Sequence, residues 1–276
     1  MVTINVILAT YNGEKYLRVL LDSLFSQTNQ SFNLLVRDDN SKDKTIDIIE
    51  EYQNAHPNRI KLIQDNLGNL GSSKSFMNLL EYTNSEYIMF CDQDDVWLPK
   101  KIEVSLQKIQ ELENKYTKDI PLSVFTDLQV VDEKLNLIEP SIWKYQKLYP
   151  NIAQNWKKLL AQNVITGCTM IINNKSKEFC LPFALDMMIH DQWVGVNISK
   201  YGKIDFLEES TLLYRQHSKN VEGAIPFGLN YSKYKLLQIK RILKYQIRAS
   251  LYFKGVSVFT LIYYKLKINL MRIIRD

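Results

Sequence analysis

A chain of 276 residues, 46% hydrophobic and 24% charged, can bury one substantial core or two small ones, and one compact domain plus an appendage is the expected form. Its net charge of +5 is unevenly placed: eleven Lys or Arg stand against one acidic residue between Lys233 and Asp276, so a mildly acidic body carries a basic tail. That body has no basic stripe of the kind a nucleic-acid binder needs.

The first half alternates short apolar runs with amphipathic stretches, the rhythm of a sheet with crossover helices. Strands are predicted at Val2–Ala9, Phe32–Arg37, Ile60–Gln64 and Tyr87–Cys91. Helices are predicted at Glu14–Gln27, Asp43–Tyr52 and Ser72–Tyr82, with a fourth opened by Pro99 and running to Leu112. Beyond residue 120 come strand-like segments at Leu122–Phe125, Gln129–Val131, Thr169–Ile172, Lys203–Leu207 and Thr211–Arg215, with one helix at Asp191–Lys200. Pro226 with Gly223 and Gly228 marks a boundary, giving a body over 1–228 and a tail over 229–276. Val2 begins a strand with no basic leader before it, so a secretory signal is not expected. Cys91, Cys168 and Cys180 are odd in number and lack metal-ligand spacing, which suits reduced, buried thiols of a cytosolic protein.

In a parallel sheet, ligands bind outside the carboxyl ends of the strands. The unusual residues fall there: Thr10-Tyr11-Asn12-Gly13 after the first strand, Asp38-Asp39-Asn40-Ser41 after the second, Asp92-Gln93-Asp94-Asp95 after the fourth. Turn formation and helix capping account for each motif alone. Three carboxylates within four residues repel one another unless a cation offsets them, and carboxylate oxygens suit Mg²⁺ or Mn²⁺. A solvated acidic turn ahead of the Pro99 helix is the alternative, and it fits Asp95 better than Asp94.

These three runs, continued by Asn69-Leu70-Gly71 with Lys74, by Gly167, by His190-Asp191 and by Arg215-Gln216-His217, resemble the inverting family 2 glycosyltransferases. The likeness covers residues 2–224 and is nearest to bacterial rhamnosyltransferase-type members. It implies a GT-A fold, a mixed, mostly parallel sheet flanked by helices, and transfer of a sugar from a UDP- or dTDP-activated donor. Carried over by position, it assigns Thr10, Tyr11, Asn12, Asp39, Lys74 and Asp92 to the nucleotide-sugar, with Asp39 accepting from the ring N–H of uracil or thymine. It assigns Asp94, Asp92 and His217 to Mn²⁺ or Mg²⁺, and Asp191 to the base that takes the acceptor's proton. His190 stands where the family usually has Glu. The Ser123–Asp132 and Gln162–Thr169 regions are expected to carry donor choice. As an N-cap, Asp191 has an ordinary alternative; Trp193 beside it either shapes the acceptor site or packs in the core.

In the tail, Leu236, Ile239, Ile242, Leu243 and Ile247 form an apolar stripe at helical spacing, with Lys240, Arg241, Lys244 and Arg248 available to the other side. Gly255–Tyr264 is apolar but too short to cross a bilayer. Such a segment suits an anionic membrane surface, which would make the protein peripheral on the inner face of the cell membrane with a lipid-linked or polysaccharide acceptor. Helices packed on the body are the alternative. Two rivals to glycosyl transfer are a sugar nucleotidyltransferase, for which Thr10–Lys15 lacks the glycine-rich phosphate loop, and a non-catalytic nucleotide-binding module.

Overall fold

Strand β1 (Ile4–Thr10) is buried along nearly its whole length and pairs in parallel with β2 (Phe32–Asp38) on one side and β4 (Tyr87–Asp92) on the other. A strand flanked on both edges and both faces reads as a continuous apolar run rather than an alternating one, as Ile4, Val6, Ile7 and Leu8 do. The structure, a computed structural model, describes residues 3–274 apart from 186, 219, 221, 222, 229, 230, 232, 234 and 236. Val2, expected to start β1, and Leu236, expected in the tail stripe, lie outside the described residues.

Among the described residues the sheet has nine strands, in the order β3-β2-β1-β4-β8-β6-β9-β5, with β7 (Leu137–Glu139) paired to β6 (Leu122–Val131) off this path. Here β3 is Ile60–Leu62, β5 is Val96–Trp97, β8 is Met170–Asn173 and β9 is Lys203–Arg215. The β3-β2-β1-β4 half is parallel, β8 runs antiparallel to both β4 and β6, and β6 pairs in parallel with β9. By paired residues the sheet is the mixed, mostly parallel one expected.

The first helices stand as crossovers: α1 (Leu17–Phe25), α2 (Thr45–Ala55), α3 (Ser72–Tyr82) and α4 (Lys101–Tyr116). The first begins three residues later than the expected Glu14, because the Gly13 carbonyl accepts from the amides of Tyr16 and Leu17 and holds residues 13–16 as a turn. Pro99 does not open α4: Val96 and Trp97 pair with Leu213 and Leu212, and the helix starts at Lys101. Two pairs of expected strands are single long strands, β6 and β9, whose register shifts at Thr126–Asp127 and Asp127–Gln129 absorb the polar residues that looked like breaks. Short helices α5 (Ile142–Tyr145) and α6 (Trp156–Ala161) fill a stretch to which the sequence pattern assigns no element; Ser141 and Asn155 cap them, accepting from Lys144 and Lys158 amides. Helices α7 (Lys177–Cys180) and α8 (His190–Tyr201) follow.

The tail forms α9 (Ile239–Tyr252) and α10 (Val258–Ile274), and both dock on the body. Ala249, Phe253, Leu261 and Ile268 join the main core, with the Phe253 ring 5.9 Å from Trp193 and 6.2 Å from Trp156. Tyr245 Oη donates to the Leu160 carbonyl at 3.2 Å, and the buried Arg272 guanidinium donates to the Gln146 carbonyl at 2.6 and 3.1 Å. Of the expected stripe, Ile239, Leu243 and Ile247 are exposed and Ile242 is half-buried, while Ala249 and Phe253 of the same segment dock on the body. Phe253→Ala is expected to lower unfolding free energy by about 3–5 kcal/mol, the cost of emptying an aromatic core site. A shift in urea midpoint worth under about 1 kcal/mol would show that the tail folds independently of residues 1–228.

Candidate active site

The strand-end motifs are bonded to one another. Thr10, buried, donates Oγ1–H to Asp38 Oδ1 at 2.8 Å, and Asp38 also accepts from the Ser41 amide at 2.7 Å and hydroxyl at 2.6 Å. The Asn12 amide donates to Ser41 Oγ at 2.8 Å, while Asn12 Oδ1 accepts from the Lys42 amide at 2.8 Å. Asn12 sits at φ +48, a left-handed conformation that Asn tolerates better than most residues. Gln93, from the acidic motif, grips the Tyr11 backbone on both sides, accepting from its amide at 2.8 Å and donating to its carbonyl at 3.0 Å. The Tyr11 ring is left 48% exposed over this loop.

Asp39 is buried at the next strand end. Its Oδ1 accepts from Arg37 Nη1 at 2.6 Å, the Leu70 amide at 2.7 Å and Ser75 Oγ at 3.1 Å; its Oδ2 accepts from the Gly71 amide at 2.8 Å. Burial alone would raise this carboxyl, but the Leu70 amide, the Arg37 guanidinium and the Gly71 amide outweigh it and hold Asp39 below the usual carboxylate range. Gly71 reaches this position at φ +78, which favours glycine. A carboxylate offers about four lone-pair sites, two per oxygen, so Oδ2 keeps one direction open. Arg37 is 1% exposed and divides its donors among Asp39, Asp65, Ser75 and the Gly68 carbonyl.

Asp94 Oδ2 lies 2.9 Å from His217 Nε2, joining the acidic motif to the end of β9 across 123 positions. The His217 ring stacks on Tyr16 at 4.8 Å, and Arg215 packs on the other part of the assembly, its Nε donating to the Asp94 carbonyl at 2.8 Å and its guanidinium 4.8 Å from the Tyr16 ring. Asp92 is partly exposed beside Asp94; burial, and then the Asp94 charge, push its carboxyl above the usual range. Asp95 departs from the expected solvated turn: it is 0% exposed and accepts from the Arg215 amide at 3.2 Å. Burial, then Asp94 and Asp92, push Asp95 well above the carboxylate range.

Two groupings here can be weighed as cation sites. Asp92, Asp95 and Cys168 bring one ligand atom each within 4.8 Å of one another, but Cys168 is a buried thiol held well above its ordinary pKa, and a soft protonated sulfur is a poor partner for Mg²⁺ or Mn²⁺. Asp94 and His217 offer a carboxylate oxygen and an imidazole nitrogen that face each other with partial access to solvent, side-chain exposures being 16% and 7%. That donor set fits Mn²⁺ better.

Asp191 occupies the first turn of α8, one residue inside the helix, whose N-cap is Ile189. It is therefore not the N-cap the sequence allowed. Its Oδ2 accepts from the Gly167 amide at 3.2 Å and its Oδ1 from Asn163 Nδ2 at 3.1 Å. The one-turn 3₁₀ segment Gly167–Thr169 thus touches Asp191 through Gly167 and Asp92 and Asp95 through Cys168. Gly167 has to be small, because a Cβ there would stand 2.6 Å from His190 Nε2. His190 stacks on Phe76 at 4.3 Å and on Phe90 at 5.6 Å, and burial pushes its pKa down to about 3, so it is neutral. Trp193 is core, donating Nε1–H to the Cys180 carbonyl at 2.6 Å and packing on Phe183 and Phe253. Lys74 is exposed between Ser75, which bonds Asp39, and Ser73, whose hydroxyl accepts from the His190 amide at 3.3 Å.

The bonding roles of Arg37, Asp65, Gln93 and Asn163 were not legible in advance. Neither was Lys101, a buried ammonium that donates to Thr211 Oγ1 at 3.1 Å and is pushed by burial down to about 8. The buried Arg37 between two acidic positions carried the one usable signal, a charge inside an otherwise apolar strand.

A mixed sheet of this order, with the acidic motif closing β4 and a second carboxylate opening a later helix, defines a GT-A-like fold. The chain belongs to glycosyl transferase family 2, whose sequence profile matches residues 5–179. It is similar to the dTDP-rhamnosyl transferase RfbG of Shigella flexneri, 28% identical over 240 residues that cover 84% of this chain and 80% of the relative. Its fold is similar to that of Staphylococcus aureus TarS 1–349 in complex with UDP-GlcNAc, at TM-score 0.63 and 19% identity over 98% of this chain and 72% of that one. The mannosyltransferase PcManGT of Pyrobaculum calidifontis, in complex with GDP-Man and Mn²⁺, superposes at TM-score 0.63 and 14% identity over 98% and 70% of the two chains.

Proposed function

We propose that this protein is an inverting, metal-dependent glycosyltransferase that moves a sugar from a UDP- or dTDP-activated donor to a hydroxyl of a lipid-linked or polysaccharide acceptor. The observation that supports the reading is the Gly167–Thr169 turn: the Gly167 amide donates to Asp191 and Cys168 lies with Asp92 and Asp95, so a base at Asp191 would stand near a diphosphate held at the acidic motif. Rhamnose as the sugar rests on the likeness to the Shigella enzyme.

Asp39 Oδ2, held in place by the Gly71 amide, accepts from the ring N–H of uracil or thymine in its remaining direction. Thr10, Tyr11 and Asn12 shape the ribose side, and Lys74 offsets phosphate charge from the first turn of α3. Asp94 and His217, with Asp92 alongside, would hold Mn²⁺ or Mg²⁺. The ion, when bound, offsets the charge developing on the departing diphosphate. Asp191, oriented by Gly167 and Asn163, takes the acceptor's hydroxyl proton as the new bond forms on the face opposite the leaving group. A single displacement inverts the anomeric carbon and needs no covalent intermediate.

A panel of nucleoside diphosphates read by thermal shift tests the base and metal assignments. UDP or dTDP at a hundredfold over Kd should stabilise by about 2.7 kcal/mol, with Mn²⁺ required, and GDP and ADP should do far less. Equal shifts for all four, or none that depends on Mn²⁺, would remove Asp39 and Asp94 from their roles. Binding without any turnover across a set of sugar donors would favour the non-catalytic alternative.

The tail supports a membrane-facing position. Among the described residues no helix is long and apolar enough to cross a membrane. Yet Phe259, Tyr263, Leu266, Leu270 and Ile273 are exposed along one face of α10, and Lys240, Arg241, Lys244 and Arg248 are exposed on α9. Each cation near an anionic surface contributes roughly 1 kcal/mol. The protein should pellet with phosphatidylglycerol vesicles at low salt, and Leu266→Glu with Leu270→Glu should abolish this; indifference of the intact protein to such vesicles would end the membrane reading.

A further inference from the structure

Tyr16 stands at the N-cap of α1 and caps nothing: its side chain bonds no amide of the first turn, where Ser, Thr, Asp or Asn would stabilise the helix start. Packing does not require it either, since Leu17, Leu20, Leu21 and Leu24 are the residues α1 buries and Tyr16 is only half-buried. The ring is engaged elsewhere. It stacks against the His217 imidazole with centroids 4.8 Å apart and planes 22° from parallel, and the Arg215 guanidinium lies 4.8 Å from its centroid. Its hydroxyl donates to Glu133 Oε1 at 2.8 Å, and the Lys15 ammonium pairs with that same oxygen.

Glu133 is itself fixed. It lies in the turn after β6, where Asp132 Oδ1 accepts from the Lys134 and Asn136 amides at 2.8 Å each, and its carbonyl accepts from Arg215 Nη1 at 2.8 Å. Arg215 Nε donates in turn to the Asp94 carbonyl at 2.8 Å. The contacts close on themselves: Tyr16 to His217, His217 to Asp94 at 2.9 Å, Asp94 to Arg215, Arg215 to Glu133, and Glu133 back to Tyr16. Segments that follow β1, β4, β6 and β9 thus meet in one circuit.

This circuit answers a need of His217. The residue lies two positions beyond the end of β9, outside the pairing of the sheet. A contact with Asp94 at one nitrogen sets a distance and not the plane of the ring. An imidazole binds a metal through a lone pair that lies in that plane, so the plane decides whether the ion is met. Stacking on Tyr16 sets the plane of His217, and the bond from the Tyr16 hydroxyl to Glu133 keeps Tyr16 from turning.

We propose that Tyr16 is a positioning residue for the metal: its ring holds the His217 imidazole so that Nε2 and Asp94 Oδ2 converge on one ion, and Glu133 holds the ring. The inference rests on the reading of Asp94 and His217 as the Mn²⁺ site and adds what aims that site.

The test measures UDP affinity by calorimetry across a Mn²⁺ series, in the full chain, for the wild type, Tyr16→Leu, Tyr16→Phe, His217→Ala and Tyr16→Leu combined with His217→Ala. Loss of a group that supports a metal ligand costs about ten- to a hundredfold in metal affinity, so Tyr16→Leu should raise the Mn²⁺ midpoint about tenfold or more. Tyr16→Phe keeps the stack and loses one hydrogen bond at the surface, so its midpoint should move no more than about threefold. At saturating Mn²⁺, UDP should bind Tyr16→Leu within about threefold of wild type, since mass action restores a weakened ion site. With His217 already replaced, Tyr16→Leu should add less than about twofold, because the two side chains act as a unit. The inference is overturned if Tyr16→Leu keeps the wild-type midpoint or if its loss is as large in the His217→Ala background. It is also overturned if UDP affinity stays low at saturating Mn²⁺, which would make Tyr16 a support of the neighbouring Tyr11–Asn12 loop. A wild type whose UDP affinity ignores Mn²⁺ would overturn the Asp94–His217 site itself and this inference with it, a result distinct from an unmoved midpoint.

Discussion

Asp191→Asn should lower sugar transfer by about a hundredfold to ten-thousandfold while leaving UDP or dTDP affinity within about threefold. The amide keeps the shape and one acceptor oxygen, so the Gly167 amide still has a partner and the turn that carries Cys168 stays in place. What is lost is the capacity to take the acceptor's proton. The measurement is single-turnover transfer beside nucleotide binding on the same preparation. A variant that binds donor normally and transfers at near wild-type rate would leave Asp191 with no more than its bonds to Gly167 and Asn163. A variant that loses donor binding as well would show that the carboxylate's main work is to hold the turn.

Asp94→Ala should weaken Mn²⁺ binding by about a hundredfold or more and make the remaining donor affinity insensitive to the ion. Removal even of groups that only support a metal's ligands costs about ten- to a hundredfold, and a direct ligand costs more. The same change removes the Asp94 oxygen 2.9 Å from His217 Nε2, while the imidazole keeps its stacking on Tyr16. His217→Ala should therefore reproduce most of the loss, and the double variant should be little worse than either one, since the two act as a unit. Mn²⁺ titration followed by UDP affinity reads both. Full Mn²⁺-stimulated activity in Asp94→Ala would move the ion elsewhere, with Asp92, Asp95 and Cys168 the remaining cluster among the described residues.

The positions that carry these predictions differ in how they could be known. Thr10, Asp39, Asp92 and Asp94 follow directly on β1, β2 and β4, three strands short and apolar enough to be recognised by local pattern. A parallel sheet puts such strand ends on one edge whatever the rest of the chain does. Asp191 and His217 were placed by likeness to a family and not by local physics, and their company was hidden. That Asp191 would be held by Asn163 and Gly167, 28 and 24 positions away, depends on how α8 sits against the loop before β8. Arg37 was concealed for a similar reason: a charge in a buried strand is tolerable only with partners, and its partners Asp65 and Asp39 come from two different loops.

The sequence by itself determined the alternation of strands and helices through residue 112 apart from the short β5, the acidic edge of the sheet and the charge imbalance of the tail. Those properties reside in periodicity and composition, which are set by neighbours a few residues apart. Tertiary structure alone decided the rest. It joined the predicted fragments on either side of Thr126 and Ser210 into the long strands β6 and β9, because pairing partners can absorb polar residues at a register shift. It brought His217 to Asp94. Above all it decided which way the tail helices face: a helical period reveals that Ile239, Leu243 and Ile247 share a stripe, and that Lys265 shares one with Leu261 and Ile268, but not which stripe meets the body. That choice was made by Phe253, Tyr245 and Arg272, whose ring and donor groups found Trp193, Leu160 and Gln146 on surfaces that exist only once the sheet is formed.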